Sequence, residues 1–356
     1  MIISPRENSL FLGHQEVIQE MIHSWESKRL HHAWLFTGPR GIGKATLAFR
    51  FSRFLLADSS EKSLDSFFLS PEHPVFRRVA SGGHSDLKVI QGGDCDQLGR
   101  VKTNIIVDDI RAIKRVLTLT PGEGKWRVII IDGAEEMNRS AGNALLKFLE
   151  EPPLQSIFIL ICHSPDRLLP TITSRCRRLN FRSLPDNLLK DIIKTHIGRD
   201  LSASMVDVLV KLSEGSPGRA ATLIDCNGIE IYSQIIGITR GLPNLDIKAV
   251  HSLANECMKK ESGENVFRTV GELMSWSLST LIRQIAINGS DKNINCDEYE
   301  AWQGLMTRGD LEYWANVWEK LNRIFTDAEF SSLEPKQVII KAFTMLQQAT
   351  ASNKYL

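Results

Sequence analysis

Trp34-Leu35-Phe36-Thr37-Gly38-Pro39-Arg40-Gly41-Ile42-Gly43-Lys44-Ala45 is the stretch whose reading decides the fold. It opens inside an apolar run, Ala33 to Phe36, that reads as a buried strand. The run breaks at Gly38 into a loop with three glycines and re-emerges as a helical pattern over 45–57. Strand, glycine loop and helix in that order are the context of a phosphate-binding loop. The glycines let backbone N–H groups turn inward onto phosphate oxygens, and the helix N-terminus adds a favourable dipole. The lysine of such a loop reaches the outer phosphates, so Gly38, Gly41, Gly43 and Lys44 are the candidate nucleotide ligands. The motif G-x-x-x-x-G-K-[ST] ends in a hydroxyl that ligates Mg²⁺, and here that position is Ala45.

Downstream, Arg127-Val128-Ile129-Ile130-Ile131-Asp132 is a continuous apolar run ending in an acid. A central strand of a parallel sheet looks like this when it delivers a Walker B aspartate to Mg²⁺, which makes Asp132 a candidate. A buried strand ending in a helix-capping Asp has the same pattern, but the upstream phosphate loop favours the nucleotide reading. A P-loop ATPase of this type wants a Glu directly after that Asp, to polarise the attacking water. The chain instead reads Gly133-Ala134-Glu135, with the carboxylate two residues late and expected in the following turn.

Around these two strands the pattern alternates. Val17, Ile18, Met21, Ile22 and Trp25 form a helical stripe within 14–28, leading to His31-His32, a helix-to-strand junction rather than a metal pair. Residues 58–86, with Pro71, Pro74 and Gly82-Gly83, read as a loop-rich insertion. Leu87 to Ile90 reads as a short strand, and Asp108 as the cap of a helix bearing Ile110, Ile113, Val116 and Leu117. A helix from Asn143 is stopped by Pro152-Pro153, and Ser156 to Ile161 is a further buried strand. This alternation from 33 to 181 specifies a three-layer α/β domain with a mostly parallel sheet. From Pro185 the strands stop, and 188–226 read as a small helical module. Beyond it lie long helical stripes, with Trp276, Trp302, Trp314 and Trp318 at core or subunit-interface spacing.

A chain of 356 residues holds two or three domains. Its net charge of +1 argues against a dedicated nucleic-acid binder, leaving only a local basic patch. The N-terminus lacks a signal-peptide pattern, and no apolar run approaches the roughly 20 residues that span a bilayer, so a cytoplasmic protein without a membrane partner is expected. The six cysteines are scattered without a C-x-x-C pair, as free thiols in a reducing compartment would be.

With these pieces in order, the chain resembles the AAA+ clamp-loader ATPases. The resemblance rests on Leu30 to Lys44, Ile130-Ile-Asp-Gly-Ala-Glu-Glu-Met-Asn138, and Asn143-Ala-Leu-Leu-Lys-Phe-Leu-Glu-Glu-Pro-Pro153. Leu168-Leu-Pro-Thr-Ile-Thr-Ser-Arg-Cys176 and the Gly215-Ser-Pro-Gly-Arg219 turn complete it. It implies an AAA+ P-loop α/β domain over 1–182, a helical lid over 183–228 and an all-helical oligomerising collar over 229–356. It further implies a subunit of the DNA polymerase III clamp loader, working with gamma/tau-type and delta-type subunits, the sliding clamp and primed DNA. Arg175, in Ser-Arg-Cys, corresponds to an arginine finger that completes a neighbour's ATP site; the other reading is a surface arginine in a basic cluster with Arg177, Arg178 and Arg182. Arg219 corresponds to a sensor-2 arginine and His163 to a sensor-1 residue. The family's zinc insertion would fall within 58–86, where cysteines are missing, so no zinc is expected. Ala45 and Gly133 lead to an expectation of ATP bound weakly or vestigially, with little or no ATPase in this subunit itself. An active gamma-type ATPase is the alternative, and a small-molecule P-loop kinase leaves the helical tail and Ser-Arg-Cys unexplained.

Overall fold

The computed structural model describes residues 4–57, 63–92, 104–118, 126–197, 201–258, 263–287, 301, 304–306, 308–330 and 333–351. Backbone contacts divide the chain into two compact units, Met1–Arg199 with Ser213–Arg219, and Asp200–Leu212 with Ala220–Leu356.

The first unit is built on a five-stranded parallel sheet of β1 (Ala33–Thr37), β2 (Leu87–Gln91), β3 (Arg127–Asp132), β4 (Ser156–Cys162) and β5 (Arg177–Asn180), in the order β2-β3-β4-β1-β5. β1 and β4 are buried along their whole length, which is why Ala33–Phe36 and Ile157–Cys162 are continuous apolar runs instead of alternating. Alternate residues still serve different layers. Trp34, Phe36, Ile130, Ile159 and Ile161 pack with α1 (Gln15–Glu26) and α2 (Lys44–Leu56). Leu35, Ile129, Ile131, Phe158 and Leu160 pack on the opposite face with α4 (Val107–Thr118) and α5 (Arg139–Glu150). The result is the three-layer α/β sandwich that the sequence pattern specifies. Each of these fully buried side chains contributes about 1.5–3 kcal/mol of burial.

The chain leaves β1 for the far side of the sheet and returns past it to β5. This reversal beside β1 opens a crevice at the strand ends, where α/β proteins of this type bind ligands. Thr37 closes β1 in register with Cys162 of β4 and Asn180 of β5, and the phosphate loop starts at the next residue.

Two local expectations change. The segment read as a loop-rich insertion contains a helix, α3 (Pro74–Ala80), with His73 accepting from the Val75 N–H as its cap and Pro74 at the first position. Val75, Phe76 and Val79 bury its apolar face, and the stripe was too short for periodicity to reveal. Asp108 is not a cap, since α4 begins one residue earlier; the neighbouring Asp109 Oδ2 accepts from the Ile106 N–H at 2.9 Å. His31 and His32 do lie between α1 and β1, bonded to the carbonyls of Ala33 and Leu149.

After a one-turn helix α6 (Pro170–Thr173), the strands give way to α7 (Asp186–Ile192), α8 (Ala203–Ser213) and α9 (Pro217–Asp225). The second unit is helical where described, with α10 (Gly228–Arg240), α11 (Ile247–Glu256), α12 (Gly263–Ala286), α13 (Leu311–Phe330) and α14 (Pro335–Ala351). Its core explains most of the tryptophans: Trp314 and Trp276 are buried, the latter edge-on to Tyr232, and Trp318 donates to Ser275. Trp302, Cys95 and Cys296 lie outside the described residues. Among the described residues no helix is long and apolar enough to cross a membrane, and no cluster of His, Cys, Asp or Glu could hold a metal ion.

Candidate functional site

The loop after β1 has φ of +141° at Gly38, +73° at Gly41 and +107° at Gly43. Gly38 has no alternative residue on two counts: its φ is left-handed, and a Cβ would stand 2.2 Å from the Phe181 carbonyl oxygen. α2 starts at Lys44 without a side-chain cap, so its first N–H groups face the loop interior. Lys44 is 3% exposed, and its Nζ donates to the carbonyls of Gly38 at 2.5 Å and Pro39 at 2.6 Å. Burial pulls its ammonium down to about 8, against the opposing pull of Asp132 and Glu135. The lysine is thus tied to its own loop.

Asp132 ends β3 in register with Ile161 of β4. Burial raises its carboxyl, and Lys44 and Arg40 act in the other direction. The next residue bends away. Gly133 has φ +77° and leads into a short turn, Ala134–Glu136, that carries the displaced Glu135. A Cβ at 133 would meet the Glu136 carboxylate at 2.9–3.2 Å, so a glutamate there is opposed both by backbone conformation and by a neighbouring charge. Glu135 Oε1 instead accepts from the His163 N–H at 2.9 Å, just beyond β4. Burial works to raise the Glu135 carboxyl, but bonds from its own N–H and from His163 outweigh it and hold it low.

His163 is driven the other way. Burial and the nearby Lys44 push its imidazole down to about 4, against the attraction of Glu135. The folded protein keeps this ring neutral at a pH where the unfolded chain, with an ordinary value of 6.5, already binds a proton. Stability is therefore lost as pH falls through the window from 6.5 to 4. The ring is partly exposed and solvent screens the effect, so about 1 kcal/mol is expected between pH 7 and pH 5. His163→Gln should remove that component, seen as a smaller shift of the urea midpoint between the two pH values. An identical shift in both proteins would refute it.

A third element reaches the loop. In the Gly215–Arg219 turn, the Gly218 N–H donates to the Gly41 carbonyl at 2.9 Å and the Ser216 hydroxyl donates to the Arg40 carbonyl at 2.9 Å. The same hydroxyl accepts from the Arg219 N–H at 3.2 Å at the start of α9. Arg219 is brought to the loop by its backbone, while its guanidinium pairs with Glu214 at 2.9 Å. From the other side, His14 Nε2 donates to the Ile42 carbonyl at 3.0 Å and its ring lies on Phe181, with Phe11 against Gly43. Sequence reading passed over His14 and Phe11 and quoted Ser216 only as part of a turn, because their partners are far away in the chain.

These residues meet the requirements of a nucleotide unequally. The loop amides, Lys44 and Asp132 suit phosphates and a metal, whereas the Ala45 methyl provides no oxygen ligand. Arg175 stands apart from this group. It follows α6, where Nη1 donates to the Thr171 carbonyl at 3.0 Å and Nη2 pairs with Glu150 Oε1 at 2.7 Å. Its side chain is 37% exposed.

Together, the parallel sheet in its 2-3-4-1-5 order, the phosphate loop after β1 and the acid ending β3 define a P-loop module of the AAA+ class. Residues 13–185 match the model of a protein family described as DNA polymerase III, delta subunit. The chain is 32% identical over 198 residues to the DNA polymerase III subunit delta' of Bacillus subtilis, covering 55% of each protein. It is 29% identical over 225 residues to the DNA polymerase III subunit gamma of Buchnera aphidicola, covering 62% of this chain and 58% of that one. The matches thus span little more than half the length of these relatives. A solved DNA polymerase III gamma subunit-related protein of Thermotoga maritima aligns over 95% of this chain and 100% of its own at 18% identity, with a TM-score of 0.43.

Proposed function

We propose that this protein is a non-hydrolysing, delta-prime-type subunit of a DNA polymerase III clamp loader. In this reading it supplies a rigid AAA+ module and an arginine finger to a neighbouring ATP site. Its partners are the gamma/tau-type and delta-type subunits, the sliding clamp and, through the complex, primed DNA. Residues 1–182 form the nucleotide-type module, 183–228 the lid, and 229–356 the collar that joins the ring. The observation that carries it is the pairing of an intact loop and Asp132 with Ala45 and Gly133, where a metal-binding hydroxyl and a catalytic carboxylate would stand. The ties from Lys44, Ser216 and Gly218 to the carbonyls of the loop support a loop held in place by the chain's own groups.

A gamma-type ATPase is the second reading, favoured by one observation: Glu135 acts on Lys44 and adjoins His163, where it could replace the missing carboxylate. Steady-state turnover by the isolated protein separates the two. The expected rate lies far below about 1 s⁻¹, the low end for working phosphoryl-transfer enzymes. A rate at that level that Glu135→Gln abolishes would establish the second reading.

A further inference from the structure

Arg175 is held by two elements of the same unit, and the arrangement assigns a task to a residue that sequence reading left as part of a helix end. We propose that Glu150 is the positioning residue for Arg175, holding its guanidinium in place for a neighbouring chain's phosphoryl group. The inference rests on the reading of Arg175 as a finger acting in trans.

α5 ends at Glu150, before Glu151 and Pro152-Pro153. A carboxylate in the last turn faces the negative end of the helix dipole, an unfavourable place unless a cation answers it. Arg175 does so at 2.7 Å, a short charge-assisted contact. The second terminal nitrogen is taken by the Thr171 carbonyl, so the planar group is tied at two points on two elements. Both anchors are firm. Ile172 of α6 is fully buried in the core that also holds Leu145 and Leu149 of α5. Gly142 lets the Leu169 side chain lie against α5, where a Cβ would stand 2.8 Å from its Cδ1.

The tip of this assembly is open to solvent. Arg175 is 37% and Glu150 49% exposed at the side chain, and exposed pairs are weak enough to exchange. A free arginine would lose much rotamer freedom on docking; one already held extended loses less. Once the developing phosphoryl charge arrives, the guanidinium passes from the carboxylate to phosphate oxygens. Glu150 therefore acts on the rate at the neighbour's site without touching the nucleotide.

The test uses the reconstituted clamp-loader complex carrying full-length Glu150→Ala, Glu150→Gln, Arg175→Ala or the double variant Glu150→Ala/Arg175→Ala, with clamp-loading rate and ATPase kcat and KM measured. With Arg175 present, Glu150→Ala should slow loading about fivefold at unchanged KM, and Glu150→Gln about twofold, because its amide oxygen still accepts. In the Arg175→Ala background the Glu150→Ala change should add nothing, and the thermal midpoint of the protein should be unaltered throughout. A full-rate Glu150→Ala complex beside a slow Arg175→Ala complex overturns the role of Glu150 and leaves the finger intact. A loss that persists without Arg175 marks Glu150 as merely structural, and faster loading marks it as a restraint; either overturns the proposal. Wild-type loading by Arg175→Ala overturns the finger reading itself.

Discussion

Under the function proposed above, replacing Arg175 by alanine should leave folding and complex assembly intact while nearly silencing one neighbouring ATP site. A subunit that hydrolyses nothing can still be required for hydrolysis next door. A guanidinium supplied in trans stabilises the charge that develops on the transferring γ-phosphoryl group, and such fingers are worth roughly 10³ to 10⁵ in rate. Arg175 is suited to the task by its half-exposed position after α6, and its loss removes only the contacts to Glu150 and to the Thr171 carbonyl, both of which are exposed to water. In a ring with several sites the total ATPase falls only in part, so the rate of clamp loading is the sharper measurement. Arg175→Lys should rescue little, because an ammonium on a flexible stem lacks the planar fork that matches phosphate oxygens. Clamp loading at the wild-type rate by the Arg175→Ala complex would reduce Arg175 to a surface charge.

The second large effect concerns stability and comes from a residue with no part in the chemistry. Arg53 of α2 is 2% exposed, and its guanidinium donates to the carbonyls of Arg6 at 3.1 Å and Asn8 at 2.8 Å while lying 4.1 Å from the centre of the Phe76 ring. Burial, with the nearby Arg50 adding to it, lowers this group to about 10, leaving it charged at neutral pH. Two effects compete in Arg53→Ala. Removing a buried cation relieves its desolvation cost, but it orphans two carbonyls and opens a cavity beside Phe76. Charge-assisted hydrogen bonds are worth about 1.5–3 kcal/mol each, so the loss wins, and Arg53→Ala should cost about 3 kcal/mol. The melting temperature should fall by about 6–12 °C, read from thermal unfolding. Arg53→Lys should recover less than half, because one ammonium cannot span both carbonyls. The same arginine anchors the segment that leads to Phe11 and His14 on the phosphate loop, so limited proteolysis should cut near residues 6–12 sooner in Arg53→Ala. An unchanged melting temperature would show that relief from desolvation cancels the lost contacts.

The sequence by itself determined four of the five strands, their parallel arrangement and the class of the fold, while β5, Arg177–Asn180, has only one buried position and no apolar run to mark it. Val128–Ile131 of β3 and Ile157–Cys162 of β4 are unbroken apolar runs, as strands covered on both faces must be, and Gly38, Gly41 and Gly43 mark a backbone that only glycine follows easily. Ala45 and Gly133 were also legible, because a missing hydroxyl or carboxylate is a fact about one position. Tertiary structure alone decided what each side chain faces. Ser216 bonds to Arg40 across 176 positions, His14 to Ile42 across 28, and Glu150 meets Arg175 from another helix. No local periodicity records such pairs, since they arise only when the sheet brings separate strand ends and turns to one edge. The turn at Gly133 belongs to the same category. The residue could be read, but its left-handed φ and the Glu136 carboxylate beside it, which keep a glutamate out, exist only in the folded chain.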